Sequence, residues 1–229
     1  MKYLKISLYI FFLCLSTQLF AQTKNELSEL PLHLNPGTED KPLVVYMSGD
    51  GGWNSFSQSL SAELQKNGYA VVSLDTRKYF WQQKTPDQFA RDTQRILDHY
   101  MKTWNKSSWI LLGYSFGADA GSFVPSRLTK TSGNQLESVV LLSPGFSTGF
   151  VTKISNMLGF GGTDKDQYKV YPELLKSPAP VLCIFGKDED SDLYPALKTT
   201  GNIKKMLIPG NHKFNDDVKL ITKLVIQSR

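Results

Sequence analysis

Short apolar segments that alternate with helical patterns restrict the fold of this 229-residue chain more than any other feature. A strand that is apolar throughout is buried on both faces, as happens in a parallel sheet covered by helices. We therefore predict an α/β fold, with a mostly parallel sheet and helices on both of its faces. The predicted strands are 43–47, 70–74, 109–112, 138–142, 181–185 and 205–208. In such folds, functional side chains lie at the carboxyl ends of the strands.

Two of the helices have clear sequence signals. Thr85 and Gln88 have the spacing of a capping box, and Pro86 occupies the first helical position between them. This arrangement predicts the start of a helix at residue 86. A final helix is predicted from about residue 215 to residue 227, because apolar residues recur there with helical spacing.

The first 21 residues have the pattern of an export signal. Lys2 and Lys5 precede an apolar run at residues 8–15, and Ala21 offers a small residue for cleavage. This pattern is typical of a secretory signal peptide. A transmembrane anchor is the alternative, but the apolar run is short for a span of about 20 residues. We therefore expect export to the periplasm.

The rest of the chain is predicted to form one domain. We expect an N-terminal lead-in at residues 22–41 and an α/β domain at residues 42–229. Loss of the two signal-peptide lysines lowers the formal net charge from +5 to +3. That charge suits an anionic membrane surface and is too small to indicate nucleic-acid binding. Cys183 would be the only remaining cysteine, so an internal disulfide is excluded, and its apolar strand predicts a core position.

A serine between two glycines marks the candidate nucleophile. Residues 113–117 read Gly-Tyr-Ser-Phe-Gly, which is a G-x-S-x-G pattern. A buried strand is predicted immediately before it and a helix immediately after it. This is the strand–turn–helix setting of the nucleophile elbow in the α/β-hydrolase fold, where the serine hydroxyl stands above the sheet edge. Ser115 is therefore the predicted nucleophile.

The base and the acid of a catalytic triad follow in the chain order that this fold requires. His212 lies in the turn between the last predicted strand and the final helix, which is where a general base is expected. Residues after the strand at 181–185 supply three consecutive carboxylates. Counting from Gly186 favours Glu189 as the acid, with Asp190 as the first alternative and Asp188 as the second. The acid would orient the imidazole of His212.

The glycine-rich segment at residues 48–53 is the predicted source of the oxyanion hole. Ester hydrolysis needs hydrogen-bond donors at the oxygen that becomes negative. We expect the backbone N–H of Phe116 to be one donor and that of Asp50 to be the other. A phosphate-binding loop is the alternative, but the segment lacks the spacing and the lysine of such loops.

Three stretches resemble a known bacterial family. They are residues 48–53 (Ser-Gly-Asp-Gly-Gly-Trp), 79–86 with Tyr-Phe-Trp and Lys-Thr-Pro, and 113–119 (Gly-Tyr-Ser-Phe-Gly-Ala-Asp). From about residue 42 to its end, the chain resembles the virulence protein VirJ and the related C-terminal domain of AcvB. The resemblance implies a periplasmic α/β-hydrolase-like protein of a family tied to type IV secretion. It also implies hydrolysis of lysyl-phosphatidylglycerol, as in AcvB-like members.

The resemblance extends to the candidate site residue by residue. By motif match it implies catalytic roles for Ser115 and His212. The family's acid corresponds here only to the acidic cluster, and not to one residue of it. Lys213 stands where members of the family often have a second histidine.

Several aromatic residues are candidates for the substrate pocket: Trp53, Phe80, Tyr114 and Phe150. Residues 143–172 form a long excursion between two predicted strands, with apolar side chains among glycines. This excursion is predicted to be a small cap or an interfacial patch that gives the pocket an apolar wall. A segment packed on the core is an equally good interpretation. Phe80 and its two aromatic neighbours, Tyr79 and Trp81, either line the same pocket or pack in the core and at its rim.

Three functions are compatible with these features. The first is a periplasmic serine esterase that hydrolyses an aminoacyl ester of phosphatidylglycerol and needs no metal or organic cofactor. The second is a carboxylesterase or lipase with another substrate. The third is a non-catalytic accessory protein that binds proteins of a secretion system. The complete set of triad residues argues against the third.

Overall fold

The computed structural model describes residues 27–128, 135–152 and 167–229. The chain divides into a unit at residues 1–30 and a compact unit from Pro31 to Arg229. In the first unit, the described residues form a turn in which the N–H of Leu30 donates to the carbonyl of Leu27 at 3.1 Å. The predicted signal peptide lies outside the described residues. No helix within the described ranges is long and apolar enough to cross a membrane.

The second unit is built on a seven-stranded sheet. The strands of the chain are β1 (Leu32–Asn35), β2 (Leu43–Met47), β3 (Val71–Leu74), β4 (Ser108–Tyr114), β5 (Gln135–Leu142), β6 (Ser147–Thr148), β7 (Tyr168–Lys169), β8 (Val181–Gly186) and β9 (Ile203–Ile208). The spatial order of the large sheet is β1-β3-β2-β4-β5-β8-β9. Its strands are parallel, except that β1 pairs antiparallel with β3 at one edge.

Helices connect these strands. They are α1 (Ser55–Lys66), α2 (Thr76–Tyr79), α3 (Pro86–Thr103), α4 (Phe116–Gly121), α5 (Val170–Leu174), α6 (Leu193–Ala196) and α7 (Val218–Gln227), with a 3-10 turn at Phe214–Asp216. The mostly parallel sheet confirms the predicted fold class. Strand β1 belongs to the same sheet, so the sheet begins before residue 42, where the sequence placed the start of the domain.

The predicted capping box is present at the start of α3. The hydroxyl of Thr85 accepts from the N–H of Gln88 at 3.2 Å, and the Gln88 side chain accepts from the N–H of Thr85 at 2.9 Å. The last helix starts later than predicted, at Val218. The three residues of the 3-10 turn before it have φ between 53° and 56°, which is a left-handed conformation that cannot continue into an α-helix.

The core lies along the central strands. Every residue of β2 is buried, as expected for a strand that is covered on both faces. Cys183 is a buried free thiol in β8, as predicted. Burial raises the pKa of this thiol to about 12, so the thiol stays protonated and takes no part in chemistry at neutral pH.

The predicted excursion at residues 143–172 is described at both of its ends. Strands β6 and β7 pair antiparallel in a separate two-stranded sheet, and the N–H of Val170 donates to the carbonyl of Phe146 at 3.0 Å. Phe150 is fully buried. The first end of the excursion is therefore packed into the protein. The apolar residues at 154–160, on which the predicted interfacial patch also depended, lie outside the described residues.

Candidate active site

Ser115 occupies a strained turn between β4 and α4. Its φ of 52° and ψ of −122° lie in a backbone region that residues other than glycine rarely adopt. Such a conformation costs about 1–3 kcal/mol and persists only where the surrounding structure enforces it. Here the N–H of Ser115 donates to the carbonyl of Leu142 at 2.8 Å, and the carbonyl of Ser115 accepts from the N–H of Ala118 at 2.8 Å. The turn is thus tied to β5 and to its own helix.

The two glycines of the G-x-S-x-G pattern allow this turn to close. A Cβ atom at Gly113 would lie 2.6 Å from the Cα atom of Ala118. A Cβ atom at Gly117 would overlap the carbonyl oxygens of Met47 and Ser48. Both glycines are therefore required because the backbone passes too close for any side chain.

His212 reaches Ser115 from the loop after β9. Its Nε2 atom lies 2.9 Å from Oγ of Ser115, and its Nδ1 atom lies 2.7 Å from Oε1 of Glu189. Nδ1–H of His212 donates a hydrogen bond to the carboxylate, which leaves Nε2 with a lone pair directed at the serine hydroxyl. The three side chains predicted as nucleophile, base and acid are therefore brought together in one hydrogen-bonded chain.

The loop that carries His212 packs directly on the end of β8. The carbonyl of Ile208 accepts from the N–H of Lys187 at 2.8 Å, and the carbonyl of Gly210 accepts from the N–H of Asp188 at 3.0 Å. A side chain at Gly186 would overlap the carbonyl oxygens of this loop. The acid and the base are thus held by two loops whose backbones are in contact.

Glu189 is the carboxylate that meets His212. Its side chain is 9% exposed, whereas that of His212 is 47% exposed. Its second oxygen, Oε2, accepts from the hydroxyl of Ser143 at 2.7 Å and from the N–H of Gly186 at 3.1 Å. Burial by itself would raise the pKa of Glu189. The hydrogen bonds from His212, Ser143 and Gly186 outweigh the effect of burial and lower the pKa of Glu189, so the carboxylate stays ionised.

The neighbouring carboxylates, Asp188 and Asp190, are exposed. Neither of them occupies the position beside His212 that Glu189 fills. Ser143, by contrast, was not a predicted site residue. It follows β5 directly, and its position at the carboxyl end of a central strand was the only signal in the sequence that could have identified it.

Tyr114 positions the histidine loop and does not line a pocket. Its side chain is 6% exposed. Its hydroxyl donates to the backbone carbonyl of His212 at 3.3 Å, and its ring packs against Phe56 with centroids 4.6 Å apart. Burial, followed by the negative charges of Asp50, Glu189 and Asp216, raises the pKa of Tyr114. The predicted pocket role of Tyr114 is therefore wrong, because the strand that ends at this residue directs its ring into the core.

The loop at residues 48–53 lies against the serine, as the predicted oxyanion hole requires. A Cβ atom at Gly49 would lie 3.3 Å from the Cβ atom of Ser115. Within the described part of the chain, the N–H groups of Asp50 and Phe116 have no hydrogen-bond acceptor. Two free backbone donors next to the nucleophile are what an oxyanion hole consists of.

Thr76 and Ser48 fix this loop. The hydroxyl of Thr76 contacts the carbonyl oxygens of Ser48 at 2.7 Å and Gly49 at 3.0 Å. The N–H of Thr76 donates to the hydroxyl of Ser48 at 3.1 Å. Both side chains are fully buried. The start of α2 therefore holds the backbone that carries the N–H of Asp50.

Phe80 and Phe150 support the site from behind and do not line an open pocket. Both are fully buried. The ring of Phe80 packs edge-on against Phe116, with centroids 5.1 Å apart, and against Phe150 at 5.7 Å. The pocket roles predicted for Phe80 and Phe150 are therefore wrong, because tertiary packing places both rings in an aromatic cluster under the elbow.

Trp53 stacks on His33 in β1. Their ring planes are 6° from parallel and their centroids are 4.2 Å apart. Trp53 is half-buried, and its predicted place in the substrate pocket stays a prediction.

The arrangement as a whole can transfer an acyl group. A serine in hydrogen-bond contact with a histidine, oriented by an ionised carboxylate, is an activated nucleophile. Free N–H groups beside it can stabilise an oxyanion. The described residues contain no group of three or more His, Cys, Asp or Glu side chains placed to hold a metal ion.

Comparison with protein families identifies one match. A family model described as bacterial virulence protein (VirJ) matches residues 41–229. No protein with a curated description matches the sequence.

Solved structures with the same fold are numerous. MenH from S. aureus is 14% identical, with a TM-score of 0.61, over 86% of this chain and 96% of that one. Est1E from Butyrivibrio proteoclasticus is 17% identical, with a TM-score of 0.59, over 86% and 90%. The monoacylglycerol lipase of Paleococcus ferrophilus is 17% identical, with a TM-score of 0.55, over 88% and 100%. At these identities the likeness shows the α/β-hydrolase fold.

The identity of the acid can be tested by removing one charge at a time. Glu189→Gln should lower kcat on a soluble p-nitrophenyl ester by about 10⁴-fold, because an amide no longer fixes the tautomer of His212. Asp190→Asn removes a neighbouring exposed charge and should change kcat less than about twofold. A larger loss for Asp190→Asn than for Glu189→Gln would contradict the assignment.

The hydroxyl of Ser143 should affect both kcat and acid stability. Ser143→Ala removes a hydrogen bond to a charged group, worth about 1.5–3 kcal/mol. We expect kcat to fall about tenfold and the pKa of Glu189 to rise. The pKa of Glu189 is lower in the folded protein than its unfolded value of about 4.3. Ionised Glu189 therefore stabilises the fold above about pH 4.3, and this stabilisation is lost as the pH falls through the folded pKa. The variant should therefore lose less stability than the wild type on acidification.

A serine within β5 provides the control for this experiment. Ser138→Ala removes a part-buried hydrogen bond between Ser138 and Ser228. It should leave kcat unchanged. If Ser143→Ala and Ser138→Ala behave alike in both the kinetic and the acid-unfolding assays, then Ser143 does not act through Glu189.

The contact of Thr76 with the oxyanion loop can be tested with an isosteric change. Thr76→Val keeps the volume but frees the carbonyl oxygens of Ser48 and Gly49. We expect kcat to fall, by up to about 10²-fold, with a smaller change in KM, because the hole matters most in the transition state. Thr222→Val is the control, since the hydroxyl of Thr222 is buried and has no partner among the described residues. Equal kcat values for the two variants would contradict the role of Thr76.

Proposed function

We propose that this chain, which belongs to the VirJ family of bacterial virulence proteins, is a serine esterase with Ser115 as its nucleophile. The observation that carries the proposal is the hydrogen-bonded chain from Glu189 through His212 to Ser115, with distances of 2.7 and 2.9 Å. It ends on a serine in the backbone conformation of a nucleophile elbow.

The proposed reaction has two stages. The Oγ atom of Ser115 attacks the ester carbonyl carbon while Nε2 of His212 takes the hydroxyl proton. The carbonyl oxygen becomes an oxyanion and accepts hydrogen bonds from the N–H groups of Asp50 and Phe116. The intermediate then collapses, the bond to the alcohol breaks, and His212 returns its proton to the departing oxygen.

The second stage releases the acyl group. A water molecule enters the place of the alcohol and gives a proton to Nε2 of His212 as it attacks the acyl-enzyme. A second oxyanion forms in the same hole and collapses. The bond to Oγ of Ser115 breaks and the proton returns to that oxygen. Throughout, the ionised Glu189 stabilises the positive charge that forms on the imidazole.

The proposed substrate is an aminoacyl ester of phosphatidylglycerol, with lysyl-phosphatidylglycerol as the first candidate, and the proposed location is the periplasm. The resemblance of the glycine-rich loop and the elbow to those of AcvB supports this choice. The charge around the site also supports it. Asp50, Glu189 and Asp216 lie close enough to Tyr114, the residue before the nucleophile, for their negative charges to raise its pKa. A cationic aminoacyl group would be attracted there, and an anionic one repelled.

The proposal is tested by the release of free lysine from vesicles that contain lysyl-phosphatidylglycerol. The wild type should release lysine, and Ser115→Ala should reduce the rate at least about 10³-fold, because the nucleophile is lost. Circular dichroism of the variant should match that of the wild type. Undiminished release by the variant would contradict the role of Ser115.

A fluorophosphonate probe separates the enzyme class from the substrate. If the wild type is labelled and Ser115→Ala is not, the protein is a serine hydrolase. Labelling without release of lysine would retain the hydrolase and exclude the lipid ester as its substrate. If neither protein is labelled and neither releases lysine, the proposed function is wrong.

A further inference from the structure

An exposed tryptophan lies in the loop between α2 and α3. Trp81 is 62% exposed, which makes it the most exposed of the large apolar side chains in the described part of the chain. Its neighbour Phe80 is fully buried. Of these two adjacent aromatic residues, Phe80 therefore lies in the core and Trp81 faces solvent. Trp81 therefore leaves more than half of its surface in water, where an interacting surface can reach it.

Cationic side chains flank this tryptophan. Residues 76–86 read Thr-Arg-Lys-Tyr-Phe-Trp-Gln-Gln-Lys-Thr-Pro, with three cations and no carboxylate. The side chain of Lys78 is 69% exposed, and its ion pair with the buried Asp75 spans 3.5 Å. The Nζ atom of Lys84 lies 5.3 Å from the centre of the Tyr79 ring. The segment at residues 76–86, which contains Trp81, therefore carries a net positive charge.

The loop has a fixed position in the structure. The N–H of Lys84 donates to the carbonyl of Phe150 at 3.0 Å, and the N–H of Thr152 donates to the carbonyl of Phe80 at 2.8 Å. These bonds tie the two sides of the loop to the segment that follows β6. Trp81 therefore projects from a backbone that is anchored on both sides.

The same loop adjoins the candidate active site. It follows the carboxyl end of β3, which runs parallel to β2 and therefore ends at the same edge of the sheet as the loops of the site. At the start of α2, Thr76 holds the oxyanion loop. At its end, Phe80 packs against Phe116, with centroids 5.1 Å apart. The cationic surface and the nucleophile thus share one edge of the molecule.

We propose that Trp81, Arg77, Lys78 and Lys84 form a docking surface for an anionic lipid bilayer. Tryptophan prefers the interface between head groups and acyl chains, because its ring is apolar and its N–H is polar. The cations contact lipid phosphates, and each is worth about fivefold in affinity at such a surface. With one exposed ring in the cationic segment, there is no row of aromatic platforms of the kind on which single-stranded nucleic acid stacks.

This docking extends the proposed function, since a protein held by this edge would face membrane esters with the edge that carries Ser115. The docking itself does not depend on catalysis. It can be measured without turnover, so that the two proposals succeed or fail separately.

The experiment measures binding to vesicles in the Ser115→Ala background, so that lipid is not consumed. The protein, as purified from the cells that make it, is sedimented with vesicles of mixed phosphatidylglycerol and phosphatidylcholine, or of phosphatidylcholine alone. We expect binding to the anionic vesicles only. Trp81→Ala should weaken it about tenfold. The double variant Lys78→Gln, Lys84→Gln should weaken it more than tenfold and reduce its dependence on salt.

Matched controls remove similar groups elsewhere. Leu175→Ala removes another exposed apolar side chain, which is 59% exposed. The double variant Lys219→Gln, Lys223→Gln removes two exposed charges from α7. Neither control should change binding by more than about twofold. In the wild-type background, Trp81→Ala should also keep its kcat on a soluble ester.

Several results would overturn the docking proposal. These are the absence of binding to anionic vesicles, equal binding to neutral vesicles, or an equal loss in Trp81→Ala and Leu175→Ala. Any of these together with normal turnover of the soluble ester would leave the esterase proposal intact. Anionic binding by a protein that turns over no ester would support the docking surface and count against the esterase.

Discussion

The close approach of backbone turns at the carboxyl edge of the sheet is the constraint on which the rest of the site depends. At Gly117, the elbow lies so close to the end of β2 that a side chain would overlap two carbonyl oxygens. At Gly186, a side chain would likewise overlap carbonyl oxygens of the loop that carries His212. Because no side chain separates these turns, Ser115, Glu189 and His212 are placed by backbone contacts. The strained φ of Ser115 is one consequence, and its cost of about 1–3 kcal/mol is borne by the packing around it.

Burial decreases along the hydrogen-bonded chain from acid to nucleophile. Glu189 is almost enclosed and has a donor on each oxygen, so it stays ionised and keeps one orientation. His212 is half exposed, and at its other end it meets Ser115 where a substrate can arrive. The preorganised charge is therefore deep in the protein and the reacting atoms are at its surface.

The sequence predicted what local patterns determine and missed what tertiary contacts determine. The elbow at Ser115 and the turn at His212 each follow a strand, so short patterns were sufficient, and the count from Gly186 indicated Glu189. Ser143 reaches the acid from 46 residues away, and no local pattern links the two. The pocket roles of Phe80 and other aromatic residues were wrong, because apolar side chains look alike in a sequence whether they line a cleft or fill a core.

The proposed acyl-transfer site consists of Ser115, His212 and Glu189 together with the free N–H groups of Asp50 and Phe116. A crystal structure of the protein inactivated by an alkyl fluorophosphonate tests this most directly, because the adduct is tetrahedral like the intermediate and its phosphoryl oxygen carries partial negative charge. We expect a covalent bond from Oγ of Ser115 to phosphorus, with a phosphoryl oxygen about 3 Å from the nitrogens of Asp50 and Phe116. An adduct on another residue, or a phosphoryl oxygen that faces solvent away from these two nitrogens, would contradict it.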